Sequence, residues 1–181
     1  MSYEANYNSA LSYLKLGQID LAVESLHRAY SQVPDKAKRD DNAVYLKILS
    51  LLARFNLEEK DPQKVWNYVD EGLRIKENHI DLLFLKSLLL LDERRFDEML
   101  VTLITYLLSF DTEEIKKYNY ELVNEATLKE IFDNLIPLSY RNSIYGVVIK
   151  DKVKIILEKT GNKNIERVLN IMASADRGQS K

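Results

Sequence analysis

Residues 16–34, which read LGQIDLAVESLHRAYSQVP, decide the fold that this sequence predicts. A glycine, Gly17, comes just before the amphipathic part, and Pro34 ends it. Glycine and proline at these places are typical stop signals for helices. Ala22 lies five residues after Gly17, and Ala10 lies seven before it, on the preceding segment. The stretch therefore predicts two helices joined by a short turn, with small residues where the helices cross.

The same spacing resembles the tetratricopeptide repeat, a family in which two antiparallel helices cross at small residues and the second ends before a proline. The residues that match are Ala10, Gly17, Ala22, Leu26, Ala29 and Pro34. They cover residues 3–36 of the chain. The resemblance implies an all-α fold, a right-handed α-solenoid built from about three helix hairpins.

A second copy of the pattern follows around residues 61–72. Its packing positions are Val65, Val69 and Gly72, and Ala53 is the small residue of the preceding helix. Asp61 and Pro62 add a local signal, because an aspartate cap followed by a proline at the first helical position favours a helix start there.

A third copy begins around residues 93–100, with Met99, Leu103 and Tyr106 at the packing positions and Ser87 as the small residue. Ala22 and Val65 are 43 residues apart, and Val65 and Met99 are 34 apart. The second interval is the period of the family, and the first exceeds it by nine. We place the excess near residues 34–41, as a longer link or an extended helix.

Beyond residue 111 the repeat pattern fades, but helical periodicity continues. Apolar residues at helical spacing occupy Leu128, Ile131, Phe132, Leu135 and Ile136, then Ile149, Val153, Ile156 and Leu157, then Ile165, Val168, Leu169 and Met172. Solenoids need an end that covers the last repeat. We therefore expect helical repeats over 1–111, a C-terminal helical cap over 112–175, and a disordered tail over 176–181.

Composition excludes several classes of function. The 181 residues include no cysteine, which excludes disulfides, thiolate zinc sites and cysteine nucleophiles. The net charge is −2, which argues against nucleic acid as a partner. Residues 134–181 alone carry 9 basic and 4 acidic side chains, a net charge of +5. We interpret that excess as the solvent-facing sides of ordinary helices.

No residues suggest catalysis. The two histidines, His27 and His79, are 52 positions apart and are interpreted as surface residues. The five glycines are isolated, so no glycine-rich loop could hold a phosphate. The sequence therefore predicts a protein that is not an enzyme, with no catalytic residues, no cofactor and no metal.

The most apolar part of the chain, residues 82–110, is interrupted by Lys86 and by the charged residues 92–98. A membrane-spanning helix needs about 20 largely uncharged residues, so we expect no membrane span. The polar N-terminal residues do not resemble a signal peptide. We expect a cytoplasmic, bacterial protein.

The family binds peptides in a concave groove lined by the first helix of each repeat. The matching positions here are Tyr7, Leu11 and Leu14, then Ser50, Arg54 and Leu57, then Phe84, Leu88 and Leu91. Family members that bind chaperone tails hold the terminal carboxylate of the peptide with lysine and asparagine side chains. The matching positions here contain neither residue type, since they are Tyr7, Leu11, Leu51, Asp81 and Leu85. The resemblance thus implies an apolar helix or peptide as the partner. Alternatively, the chain's own C-terminal helices fill the groove, or two copies pair through the groove or those helices.

A second resemblance concerns residues 81–91 together with 95–98. They look like the repeat modules that trail bacterial family 2 glycosyltransferases, as do residues 134–137 and 158–163. This resemblance implies, as the alternative function, an accessory or C-terminal domain of a glycosyltransferase system. These residues contain no Asp-x-Asp sugar-nucleotide motif and no α/β catalytic domain, so we expect no glycosyltransferase activity from them.

Overall fold

A computed structural model describes residues 2–110, 115 and 120–179, and all regular secondary structure among these residues is helical. The all-α prediction is confirmed. The helices are α1 (Tyr3–Lys15), α2 (Ile19–Gln32), α3 (Asp35–Arg39), α4 (Ala43–Glu58), α5 (Pro62–Ile75), α6 (Ile80–Asp92), α7 (Phe96–Leu108), α8 (Glu125–Glu130), a π-helical turn (Ile131–Leu135), α9 (Ile136–Asn142), α10 (Gly146–Thr160) and α11 (Lys163–Gln179).

The chain divides into two compact units, unit 1 over residues 1–85 and unit 2 over residues 86–181. The boundary lies inside α6. The repeat-to-cap boundary expected at residue 111 lies outside the described residues. At the C-terminus α11 continues to Gln179, whereas the sequence predicts a disordered tail from residue 176 onward.

Unit 1 contains two helix hairpins, in which α1 packs against α2 and α4 packs against α5, while α2 also contacts α4. The small residues are where the sequence placed them, because Ala10, Ala22 and Ala29 are fully buried. Gly72 of α5 lies so close to α6 that an added Cβ would come within 2.2 Å of the Leu82 Cδ1 atom. Close helix approach therefore explains the small residues of the pattern.

The same turn joins the two helices of each predicted hairpin. Its central residue has a left-handed backbone, with φ of 70° at Gly17, 58° at Lys60 and 56° at Arg94. Two amide–carbonyl bonds close each turn: Gly17 to Leu14 and Gln18 to Tyr13, Lys60 to Leu57 and Asp61 to Asn56, Arg94 to Leu91 and Arg95 to Leu90. This is the Schellman arrangement, which satisfies the last carbonyls of a helix. The turns are 43 and 34 residues apart, the two intervals found in the sequence.

The nine additional residues of the longer interval include α3, which lies between the first and second hairpins. Pro34 precedes α3 and Asn42 caps α4, accepting a hydrogen bond of 2.9 Å from the Tyr45 amide. The ammonium group of Lys38 in α3 lies 5.7 Å from the centre of the Tyr30 ring. The extra segment thus packs on the end of α2.

In unit 2, α7 contacts α9 and α11, and α10 contacts α11. The predicted packing residues Met99, Leu103 and Tyr106 of α7 are fully buried. The π-helical turn immediately precedes α9, whose second residue is Pro137. Proline has no amide hydrogen to continue the α-helical pattern, and the Ile136 amide donates to the Ile131 carbonyl, five residues earlier.

Candidate functional site

The nine residues predicted to line a groove occupy equivalent positions in the three hairpins. Each set follows the spacing i, i+4, i+7 on a first helix, α1, α4 or α6, which places its members on one helix face. The sets are separated by 43 and 34 residues, as the turns are. Hence corresponding members of the three sets lie the same number of residues before the turn that follows them. We call these nine positions the first-helix face.

The first positions of the two sets that lie in unit 1 offer little surface. Tyr7 and Ser50 are buried in unit 1, so the prediction that they line an open groove is corrected. The Ser50 hydroxyl donates to the Leu46 carbonyl over 2.9 Å. A hydroxyl that donates to a carbonyl of its own helix has a partner and can therefore be buried. Phe84, the third member, is half-buried.

The second and third positions are half-buried in all three hairpins. They are Leu11 and Leu14, Arg54 and Leu57, and Leu88 and Leu91. Leu88 and Leu91 belong to unit 2, and the others belong to unit 1. In unit 1 this partial exposure leaves three leucines and one guanidinium on the first helices, and in unit 2 it leaves two leucines on α6.

Within unit 1 the first helices of the two hairpins are neighbours. Helix α1 contacts α4, and the Asn42 side chain donates to the Tyr3 hydroxyl over 3.1 Å. The Arg54 Nε atom lies 3.2 Å from Glu58 Oε1, and 44% of the Arg54 side chain is exposed. An exposed ion pair of this kind contributes about 1 kcal/mol at most. The guanidinium can therefore exchange Glu58 for another carboxylate.

Sequence reasoning missed a tyrosine–carboxylate cluster between the hairpins of unit 1. The Glu71 carboxylate accepts hydrogen bonds from the hydroxyls of Tyr30, over 2.8 Å, and Tyr45. The Tyr30 and Tyr45 rings are stacked, and the Tyr68 ring meets Tyr30 edge-on at 5.5 Å. The cluster joins α2, α4 and α5. Its partners are 26 to 41 residues apart in the chain, so no local sequence signal marks it.

Burial and Glu71 keep these phenols protonated. Desolvation, followed by the hydrogen bond to Glu71, raises the pKa of Tyr30 to about 12. The same causes in the same order raise the pKa of Tyr45. A tyrosine that serves as a nucleophile or base needs a lowered pKa, so neither phenol is prepared for such a role.

The two histidines differ in environment. His27 is exposed, as expected, but His79 is fully buried, so its interpretation as a surface residue is wrong. His79 stands just before α6, where its Nδ1 atom accepts a hydrogen bond of 3.4 Å from the Leu82 amide. Desolvation, and secondly the charge of Lys76, lower the pKa of His79 to about 3. The imidazole is therefore neutral at physiological pH and caps a helix.

Within the described ranges no three His, Asp or Glu side chains are grouped so that they could hold a metal ion. None of the helices described here is both long and apolar enough to cross a membrane. No family model, no curated protein and no solved structure matches this chain.

Proposed function

We propose that this chain is a non-catalytic protein-interaction module of the tetratricopeptide type, a right-handed solenoid that acts as a scaffold or adaptor in the cytoplasm. One observation supports this proposal above the others. The three Schellman turns and the partly exposed residues of the first helices recur with the same two intervals. A recurring face of this kind is what a repeat protein uses to bind an elongated partner.

The chemistry of the first-helix face favours a peptide or helix with apolar residues at helical spacing. Leu11, Leu14 and Leu57 offer apolar area, and an amphipathic helix can bury its apolar side on such a surface. Arg54 offers a charge for a carboxylate of the partner, since its bond to Glu58 is exposed. The partner is thus a protein segment with leucine-like anchors and at least one acidic side chain.

The test is capture of partners from the source cells with wild-type protein and two variants. Leu57→Glu places a charge on the first-helix face, whereas Leu21→Glu places the same charge at an exposed site on α2, the second helix of its hairpin. We expect Leu57→Glu to weaken binding of the captured partner by about 2 kcal/mol or more, the size of a binding hot spot. Leu21→Glu should bind as wild type does.

A partner that binds Leu57→Glu and wild type equally, with the helical circular-dichroism signal intact, would rule out the first-helix face. The captured partner also decides the alternative function. If it is a family 2 glycosyltransferase, residues 81–98 belong to an accessory domain of such an enzyme system.

A further inference from the structure

Unit 2 exposes large apolar side chains within one short stretch, residues 144–155. Ile144 is 86% exposed and Val147 is 71% exposed, and Tyr145, Val148 and Ile155 each expose half of their surface or more. Soluble monomers rarely leave such residues contiguous, and a patch of this kind often marks an interaction site.

Part of this patch forms the wall of a cleft of about 510 Å³. The cleft lies between α7 and the start of α10, with Val101, Tyr145 and Val148 as apolar lining and Lys86 and Lys152 as cationic lining. Val101 is 51% exposed, so apolar surface is available on both walls. We call this the α7–α10 cleft.

Asp97, which also lines the cleft, is used within the chain. It accepts hydrogen bonds from the Ser143 hydroxyl and, over 2.9 Å, from the Tyr145 amide. Burial acts to raise the pKa of Asp97, but these hydrogen bonds outweigh it and hold the pKa below its usual value. Asp97 therefore stays ionised and anchors the start of α10 on α7.

Glu98, the other acidic residue of the cleft, is held by Arg95, whose nitrogen atoms lie 2.7 and 2.6 Å from its two oxygens. On α10, Lys150 is paired with Asp176 and Lys154 with Asp151. Among the described residues, Lys86 and Lys152 form no such ion pair. The hydrogen bond from Arg95, and to a smaller extent the charge of Lys86, lower the pKa of Glu98. The cleft thus combines apolar walls with two lysines that, in the part of the chain that the structure describes, are not held in an ion pair.

We propose that the α7–α10 cleft binds an acidic amphipathic segment of a protein partner, one with apolar anchors flanked by glutamate or aspartate. Apolar anchors would cover Val101 and Val148, and the acidic flanks would meet Lys86 and Lys152. This charge complementarity selects an acidic partner over a basic one. The cleft shares no lining residue with the first-helix face, so variants at one site leave the residues of the other unchanged.

A labelled synthetic helix tests the proposal on the full chain. The probe carries leucines at i, i+4 and i+7 between glutamates, and fluorescence anisotropy measures its binding. We expect saturable binding that weakens as salt rises, because exposed charges are screened. Val148→Asp and Lys152→Glu should each weaken it at least about tenfold, which corresponds to about 1.4 kcal/mol.

Two control variants should bind the probe as wild type does. Lys159→Glu makes the same charge change on α10 but outside the cleft lining, and Leu57→Glu alters only the first-helix face. Circular dichroism checks the fold of each variant. If Val148→Asp fails to fold, the binding measured for Lys152→Glu alone decides whether the proposal holds.

Three outcomes would overturn the proposal. Equal binding of a probe with lysines in place of glutamates would show that apolar contact alone is responsible. Binding to anionic lipid vesicles that Val148→Asp abolishes, without binding of the acidic probe, would assign the cleft to a membrane surface. Self-association in sedimentation experiments that Val148→Asp abolishes, again without probe binding, would assign it to a second copy of the chain.

Discussion

In unit 1 one carboxylate holds three helices together and in unit 2 one carboxylate holds the start of α10 on α7, but the surfaces around the two carboxylates differ. In unit 1, Glu71 accepts hydrogen bonds from two phenols. In unit 2, Asp97 accepts them from a serine hydroxyl and a backbone amide. A phenol brings an aromatic ring that covers apolar surface, whereas a hydroxyl or an amide positions the chain and covers almost nothing.

The two units also differ in how many large apolar side chains they expose. In unit 1 the large ones are confined to the first turn and the start of α2, namely Leu16, Ile19 and Leu21. In unit 2 they are Val101, Leu108, Leu138, Ile144, Tyr145, Val147, Val148 and Ile155. The region that the repeat pattern describes best is therefore the one whose apolar side chains are best covered. The region beyond it keeps apolar surface available for another molecule.

The largest effect is expected from Glu71→Ala, which leaves two part-buried tyrosine hydroxyls without their acceptor. Hydrogen bonds to a charged group contribute about 1.5–3 kcal/mol each. Because the cluster is partly exposed, we expect the free energy of unfolding of unit 1 to fall by about 2–4 kcal/mol. Urea denaturation followed by the fluorescence of Trp66 measures it, since Trp66 is the one tryptophan and lies on α5.

Glu77→Ala is the matched control, because Glu77 is exposed and lies outside the cluster. A loss equal to that of Glu71→Ala would show that the cluster does not hold the hairpins together.

Wild type should also lose stability at alkaline pH. The folded pKa of Tyr30, about 12, is above its ordinary value of 10.0. Its contribution is thus full below pH 10 and is lost as pH rises towards 12.

The sequence predicts the inside of each hairpin better than the surfaces between hairpins. Ala22 and Gly72 are identified from sequence because helix crossings require small residues at a fixed distance from the turn. Glu71 is not identified, since its tyrosine partners are remote in the chain. His79 is misassigned because burial depends on what packs over it, and a single histidine carries no periodic signal. Tyr7 is likewise misassigned to an open face, because its burial depends on what packs over it.

A smaller effect is expected from Asp97→Ala in unit 2. The substitution removes the acceptor of the Ser143 hydroxyl and the Tyr145 amide and should destabilise unit 2 by about 1–2 kcal/mol. Circular dichroism in urea measures the loss. Because the folded pKa of Asp97 is below its ordinary value of 3.8, its contribution is present above that pH and disappears as pH falls. The difference from wild type should therefore shrink in acid.

Asp92→Ala serves as the comparison for Asp97→Ala, since Asp92 is an exposed carboxylate at the end of α6. If the two variants lose the same stability, Asp97 does not anchor α10.

A further result would sharpen the contrast between the units. Asp97→Ala should also weaken binding of the acidic probe to the α7–α10 cleft. The reason is that Tyr145, which lines the cleft, is no longer held in position by Asp97.

The smallest effect concerns the left-handed turn, which occurs in both units. Lys60 in unit 1 and Arg94 in unit 2 hold a backbone that costs a side-chain-bearing residue about 1 kcal/mol, whereas Gly17 holds it without strain. Lys60→Gly and Arg94→Gly should therefore each stabilise the chain by up to about 1 kcal/mol, after the greater freedom of glycine in the unfolded chain is deducted. Gly17→Ala should destabilise it by a similar amount. Urea midpoints measure all three changes, with Trp66 reporting on unit 1 and circular dichroism on both units. A gain at Lys60 with a loss at Arg94 would show that the charged loop of unit 2 uses its arginine for binding or packing, and that the two turns are alike in backbone only.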